Sequence, residues 1–100
     1  MLKCQVIIDA MEELAPRCLA EQWNNPGLLL GSPAQEVRKI MVCLDVDQRS
    51  AQRAAELGCQ MMIAHHPVIF HPIKKLSQDM PQGRLLSQLL CAGMAVYAAH

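Results

Sequence analysis

Two apolar runs flank a polar segment in residues 39–66, which read KIMVCLDVDQRSAQRAAELGCQMMIAHH. In residues 39–44, Lys39 is followed by a continuous apolar run that is bounded by Asp45, which is typical of a strand that is buried on both faces of a sheet. Alanine and leucine recur on one side of residues 48–57, so this segment is predicted to be a helix that ends at the following glycine. Residues 60–64, in which four apolar residues follow Gln60, predict a second buried strand.

A second helix and strand follow the first unit. Residues 83–92 predict a helix, and residues 94–99 predict a third strand. The order strand, helix, strand, helix, strand is that of a parallel sheet with right-handed crossovers. Upstream, apolar residues at three- and four-residue spacing from Ile7 to Cys18 predict a helix that Pro16 ends or kinks. We therefore predict an α/β fold, in which an N-terminal helix precedes a βαβαβ parallel sheet. The run Leu28–Leu30, between two turn-rich segments, is predicted to be a short extended piece.

Composition and charge argue against several classes of protein. Nine basic residues balance nine acidic ones, whereas a nucleic-acid-binding protein usually carries a basic excess or stripe. No apolar run reaches the length that spans a bilayer, and the N-terminus lacks the pattern of a signal peptide. The five cysteines are odd in number and show no CxxC spacing, so we predict that they are reduced. These features predict a cytoplasmic protein with neither nucleic-acid nor membrane partners.

Polar side chains follow each of the three predicted strands. Asp45 comes after the first strand, His65 and His66 after the second, and His100 ends the third. Ligands of parallel α/β sheets bind outside the carboxyl ends of the strands, where these side chains are expected to meet. Imidazole and carboxylate groups are common ligands of divalent metal ions. We therefore predict a metal site with His65 and His66 as ligands and with Asp45 and His100 close by.

Other interpretations of these residues stay open at the level of sequence. One of the paired histidines can cap the strand by hydrogen bonding while the other faces solvent. His71 lies in a proline-rich loop and is interpreted as solvated, and Asp47 is interpreted as the N-cap of the helix that begins near residue 48. A plain nucleotide-binding domain is disfavoured, because the sequence contains neither GxGxxG nor a Walker loop.

Three blocks of the sequence resemble one family of proteins. The first is AEQWNNPGL at 20–28 with Gly31, the second is MIAHHPVIF at 62–70, and the third is VYAAH at 96–100. In this order they resemble the signatures of the Nif-three-like dinuclear metal-centre family, whose bacterial members are often labelled type-2 GTP cyclohydrolase I homologues. Asn24 stands where the family usually has Asp, and Asp47 stands where many members have Thr or Ser.

The resemblance implies a specific cofactor and site. His65 and His66 would each bind one ion of a pair of divalent metals, which could be zinc, iron or manganese, and His100 would lie beside them. The bridging Asp would follow His100 by four residues, and a further His and Glu would come from a C-terminal segment. Residues 1–100 would then be the N-terminal portion of a dinuclear metal-binding α/β domain with an incomplete site, from which we expect weak, exchangeable metal binding.

The resemblance also implies a reaction and an assembly. The leading hypothesis is a metal-dependent hydrolase, similar to a cyclohydrolase, that acts on a small-molecule substrate. The alternative is a non-catalytic metal-binding regulatory or interaction protein. Family members form ring-shaped hexamers, so a homo-oligomer is expected. Because the sequence stops on the last residue of a predicted buried strand, we also expect exposed apolar surface and a chain that aggregates or oligomerises when alone.

Overall fold

Short strands alternate with helices along the part of the chain that the computed structural model describes, residues 2–16, 25–69 and 73–99. The helices are α1 (Cys4–Leu14), α2 (Gln48–Glu56) and α3 (Pro81–Cys91). The strands are β1 (Leu2–Lys3), β2 (Gly27–Leu30), β3 (Glu36–Val37), β4 (Ile40–Cys43), β5 (Met61–Ala64) and β6 (Ala95–Ala98). The predicted N-terminal helix is confirmed as far as Leu14, two residues before Pro16, and its predicted continuation to Cys18 lies outside the described residues.

The main sheet has four strands in the order β2-β6-β5-β4. The strands β4, β5 and β6 are parallel, and α2 and α3 connect them, so the predicted βαβαβ unit is confirmed. The short extended piece at Leu28–Leu30 belongs to β2, which pairs antiparallel with β6 and makes the sheet mixed. A separate two-stranded ribbon of β1 and β3 lies at the start of α1.

Alternate residues of the strands point to opposite faces of the sheet, and each face has its own core. On one face, Met62 and Val96 pack with the buried side chains of α2 and α3, among them Ala54 and Leu89. On the other face, Met61, Ala95 and Tyr97 pack with Cys4 and Ile7 of α1. The result is a sheet between two helical layers, as expected when central strands are apolar on both sides.

The amino ends of β4 and β5 are held level by one side chain. Gln60, just before β5, accepts hydrogen bonds at Oε1 from the backbone N–H groups of Arg38 and Lys39, at 2.7 and 3.0 Å. The two strands then run in register from the pair Ile40 and Met61 to the pair Cys43 and Ala64. Because they start level and have equal lengths, they also end level.

Four of the five cysteines lie in the part of the chain that the structure describes. The described cysteines are Cys4, Cys43, Cys59 and Cys91, and they form no disulfide with one another, while Cys18 lies outside the described residues. In the described ranges, no helix has the length and the apolar character that a membrane crossing needs.

Candidate metal centre

The carboxyl ends of β4 and β5 place Asp45, His65 and His66 at one edge of the sheet. Hydrogen bonding continues past the ends of the strands, since His65 N–H donates to the carbonyl of Cys43 at 3.2 Å and His66 N–H donates to that of Leu44 at 3.0 Å. The neighbouring strand β6 reaches the same edge, where Ala99 N–H donates to the carbonyl of Ala64 at 2.8 Å. His100 follows directly but lies outside the described residues, as does His71.

The rings of His65 and His66 lie close together in a tilted contact, although the two residues are adjacent in sequence. Their ring centroids are 4.8 Å apart and their planes are inclined by 57°. Adjacent residues inside a regular strand would point to opposite faces. Here β5 ends at Ala64 and the chain bends at both histidines, which turns the second imidazole toward the first. Both residues are exposed, so the pair is open to solvent.

Asp45 contacts the second histidine of the pair. Its Oδ1 lies 2.7 Å from Nδ1 of His66, and the side chains of Asp45 and His66 are 60% and 47% exposed. In a neutral imidazole whose Nδ1–H donates to this carboxylate, Nε2 is the nitrogen that carries a lone pair. A carboxylate in this position is the usual outer partner of a metal-ligating histidine, because it fixes both the tautomer and the ring orientation.

His65 borders an open cleft of about 220 Å³ between α1 and the ends of β4 and β5. Apolar groups make up most of its wall, among them the side chains of Met11, Val42 and Ile63. One side of the histidine pair is therefore a concave apolar surface.

The thiol of Cys43 also borders this cleft, but it is poorly suited to bind metal or attack a substrate. Burial raises the pKa of Cys43 above the ordinary 9.0, and the nearby carboxylates of Asp47 and Asp45 raise it further. The reactive and metal-binding form of cysteine is the thiolate, which these surroundings disfavour. Cys43 instead packs against the core on the α2 and α3 side, as a small apolar side chain.

The described residues do not form a complete set of metal ligands. Within residues 2–16, 25–69 and 73–99, no group of three or more His, Cys, Asp and Glu side chains is placed to hold a metal ion. Two imidazoles, one of them oriented by a carboxylate, suit a divalent transition metal in chemical type. A catalytic zinc ion usually has three protein ligands, so a zinc ion at this position would need further ligands from other residues.

Asp47 caps α2, as predicted, and is not part of the histidine site. Its side chain accepts a hydrogen bond from Ser50 N–H at 2.7 Å, while Ser50 Oγ accepts one from Asp47 N–H at 2.9 Å. This reciprocal arrangement is a capping box, which satisfies amides that the first turn of a helix leaves without partners.

The same contacts give the capping carboxylate a pH-dependent role in stability. The hydrogen bonds from the N–H and hydroxyl of Ser50 hold the pKa of Asp47 below its ordinary value of 3.8. A lowered folded-state pKa means that the stabilisation is complete above the unfolded-state pKa and is lost as the pH falls through the folded-state value. We expect the stability difference between wild type and Asp47→Ala to be constant above about pH 5 and to shrink at lower pH. Urea denaturation across this pH range measures the stability difference. Asp47→Asn caps the helix without titrating, so its stability should lack this pH-dependent contribution. A stability difference between wild type and Asp47→Ala that grows in acid would contradict the capping role of the Asp47 carboxylate.

Two polar side chains that the sequence analysis did not assign to the site position the loop after the histidines. Asn25 Nδ2 donates to the carbonyl of Ile69 at 2.6 Å, and Gln82 Nε2 donates to that of Val68 at 2.8 Å. Val68 itself is buried in the core. The sequence analysis contained Asn25 only as a member of the first family block and gave no signal for Gln82, since both contacts join segments that are distant in sequence.

Comparison with known proteins gives a consistent family and fold. The family model described as Duf34/NIF3 (NGG1p interacting factor 3) matches residues 2–100. Proteins named GTP cyclohydrolase 1 type 2 homolog are similar over 96 residues: the one from Bacillus subtilis is 38% identical and the one from Halalkalibacterium halodurans 31% identical. In both cases the alignment covers 96% of this chain and 26% of the relative.

A solved structure extends the likeness to three dimensions. The crystal structure of a Bacillus cereus protein related to NIF3 superposes with a TM-score of 0.94 at 33% identity, covering 99% of this chain and 27% of that one. The chain therefore spans about a quarter of the length of these relatives.

Proposed function

Because the chain belongs to the Duf34/NIF3 family, we propose that it binds divalent metal ions through His65 and His66. The observation that supports this proposal best is the arrangement of the two imidazoles, 4.8 Å apart at the end of β5, with Asp45 2.7 Å from Nδ1 of His66. A pair of solvated histidines without a function has no need of a carboxylate that orients one ring. A ligand site has the features seen here: a pair of close imidazole rings, their exposure and their place at the carboxyl edge of the sheet.

Each residue has a definite part in this proposal. His66 offers Nε2 as the ligand atom, because its Nδ1–H is directed at Asp45. His65 is the second ligand and stands at the border of the apolar cleft. In line with the family resemblance, each histidine would hold one ion of a pair, and His100 and residues outside this chain would complete the coordination. Divalent ions held there would supply Lewis-acid chemistry and would activate water.

We further propose that the complete protein is a metal-dependent hydrolase of the cyclohydrolase type with a small-molecule substrate. Two of its relatives are named GTP cyclohydrolase 1 type 2 homolog, which makes GTP the first substrate to test. In this proposal the cleft beside His65 would receive an apolar or aromatic part of the substrate, because its wall is mostly apolar. The oligomer that the resemblance implies, a ring of six copies, is proposed as its assembly.

The second candidate is a metal-binding regulatory or interaction protein without turnover. The description of the family as an interacting factor favours it. One experiment separates the two candidates. The complete protein is loaded with zinc, iron or manganese and incubated with GTP, and the products are separated by chromatography. Metal-dependent ring opening that chelation abolishes supports the hydrolase, whereas stoichiometric metal binding with intact GTP supports the second candidate.

The role of Asp45 can be tested through metal affinity. Asp45→Ala is expected to weaken binding of zinc about 10–100-fold, because His66 loses the group that fixes its tautomer and orientation. Asp45→Asn, which can still accept a hydrogen bond but carries no charge, should fall between wild type and Asp45→Ala. Isothermal titration with zinc measures the affinity of both variants. Equal affinities for wild type and Asp45→Ala would show that the carboxylate has no part in the site.

A further inference from the structure

The segment that carries the paired histidines is tied to the fold along its whole length. At its start, the N–H groups of His65 and His66 donate to carbonyls at the end of β4 and just beyond it. Further along, the carbonyls of residues 68 and 69 accept hydrogen bonds from side chains of distant segments. The backbone after β5 is therefore held first by a neighbouring strand and then by two side-chain amides.

Gln82 holds the loop two residues after His66. Its Nε2 donates to the carbonyl of Val68 at 2.8 Å, and this hydrogen bond is partly buried. The side chain of Val68 is 8% exposed and packs in the core between the sheet and the helices α2 and α3. Val68 is thus fixed at two points, by its side chain in the core and by its carbonyl on Gln82.

A rigid residue joins Val68 to His66. The ring of Pro67 fixes its own φ and disfavours helical backbone at the residue before it, which is His66. The peptide groups on both sides of Pro67 are planar, so few free torsions separate His66 from Val68. A shift of the Val68 carbonyl would consequently be passed on to His66, whose ring contacts Asp45.

Gln82 itself stands on a tightly packed end of a helix. It lies in the first turn of α3, next to the buried Gly83. A Cβ at Gly83 would overlap the carbonyl of Ser77, so the turn before the helix packs directly on this glycine. Met80 N–H donates to the same carbonyl at 3.2 Å, which closes that turn. The side-chain amide of Gln82 is therefore carried by a well-fixed backbone.

Asn25 makes the equivalent contact with the next residue of the loop. Its Nδ2 donates to the carbonyl of Ile69 at 2.6 Å, and the side chain of Ile69 packs against the same core as Val68. Asn25 belongs to the block AEQWNNPGL, which carries part of the family resemblance and has no role in the proposed metal centre. The hydrogen bond connects that block to the segment of the histidines.

From these contacts we infer that Gln82 and Asn25 are positioning residues for His66. They hold the loop so that the ring of His66 stays in contact with Asp45 and presents Nε2 in one direction. The inference rests on the proposed metal binding and adds two residues that act on the site through the backbone. Loss of either amide should leave the metal ligands in place but less well oriented.

Replacing Gln82 with methionine keeps the length of the side chain and removes its N–H donor. In the complete protein, Gln82→Met is expected to weaken zinc binding about threefold to tenfold, a range that corresponds to the net contribution of one hydrogen bond. The visible spectrum of the cobalt-loaded protein should change as well, because the bands of cobalt(II) depend on the geometry of its ligands. Asn25→Leu, which keeps the shape of the side chain without its amide, should act in the same direction.

Position 52 of α2 supplies matched controls. Gln52 is an exposed glutamine whose amide donates to Glu56 of the same helix at 3.2 Å. Gln52→Met should leave the zinc affinity and the cobalt spectrum unchanged. Gln52→Gly lowers stability, because glycine is unfavourable inside a helix, and it should also leave both measurements unchanged. These two variants separate the orientation of His66 from a general loss of stability.

Hydrogen exchange of the metal-free protein, resolved to single amides, tests the inference apart from the metal. In Gln82→Met the N–H of His66, which donates to the carbonyl of Leu44, should exchange faster, whereas the amides of β6 should keep their wild-type rates. A wild type that binds no metal would overturn the proposed function, and the exchange rates would still decide the inference. Unchanged exchange at His66 in both Gln82→Met and Asn25→Leu, or a loss of zinc affinity no larger than that of Gln52→Gly, would overturn the inference.

Discussion

Replacing both His65 and His66 with alanine is expected to remove the divalent-metal binding of the chain. Loss of the outer partner of a ligating histidine typically lowers metal affinity by roughly 10–100-fold, and loss of the ligands themselves should exceed that range. The wild-type chain should bind zinc weakly and exchangeably, because the described residues form no group of three possible ligands. Isothermal titration gives the affinity, and elemental analysis after gel filtration gives the retained metal.

Two controls make this result specific to the histidine pair. His71→Ala removes a histidine that the sequence places in a loop, and it should leave the affinity unchanged. A longer protein that contains the Asp, His and Glu implied by the family resemblance should bind far more tightly, and in it His65→Ala or His66→Ala should lower the metal content. Unchanged stoichiometry in both of those variants would mean that the paired histidines are not ligands.

The largest expected loss of stability follows from truncating Leu89 in α3. Leu89 is 1% exposed and belongs to the core between the sheet and the helices α2 and α3. Leu89→Ala removes buried methyl groups and leaves a cavity, which costs about 2–5 kcal/mol. The total stability of a small domain is about 5–15 kcal/mol, so the variant should unfold at a much lower urea concentration.

The neighbouring leucine provides the matched control for this prediction. Leu90 precedes the end of the same helix by one residue and is 54% exposed. Leu90→Ala should change the free energy of unfolding by about 0.5 kcal/mol or less. Urea denaturation followed by circular dichroism measures both variants under the same conditions. Similar losses in the two variants would show that α3 does not pack in the orientation described here.

The helices, the parallel strands and the family could all be predicted from the sequence. The continuous apolar runs of β4 and β5 indicated strands buried on both sides, and the spacing of Ala51 and Ala54 indicated the buried side of α2. The capping role of Asp47 followed from its position before that helix and is confirmed. The family suggested by three sequence blocks is confirmed by a family model that matches residues 2–100. Metal binding, reaction and assembly stay predictions.

The partner of β2 could not be predicted in the same way. The run Leu28–Leu30 has apolar residues but no alternation over a long enough stretch to indicate how it pairs. Its antiparallel pairing with β6 joins residues about 70 positions apart, and only the folded sheet brings them together. Just after β2, the backbone at Gly31 approaches Ala95 of β6 closely. Gly31 has φ of 97°, and a Cβ added at this position would lie 2.8 Å from the Cβ of Ala95.

By itself, the sequence determined which residues could form the candidate site and at which edge of the sheet they would lie. Each strand runs directly into its polar residue, and the ends of parallel strands share one edge, so Asp45, His65 and His66 had to be neighbours. Tertiary structure alone decided that Asp45 contacts His66, at 2.7 Å, and that the two imidazoles lie close together. The chain bends after Ala64, and hydrogen bonds from Asn25 and Gln82 hold the loop that follows the histidines. Those contacts join distant segments of the chain, and their geometry is fixed only when the layers pack.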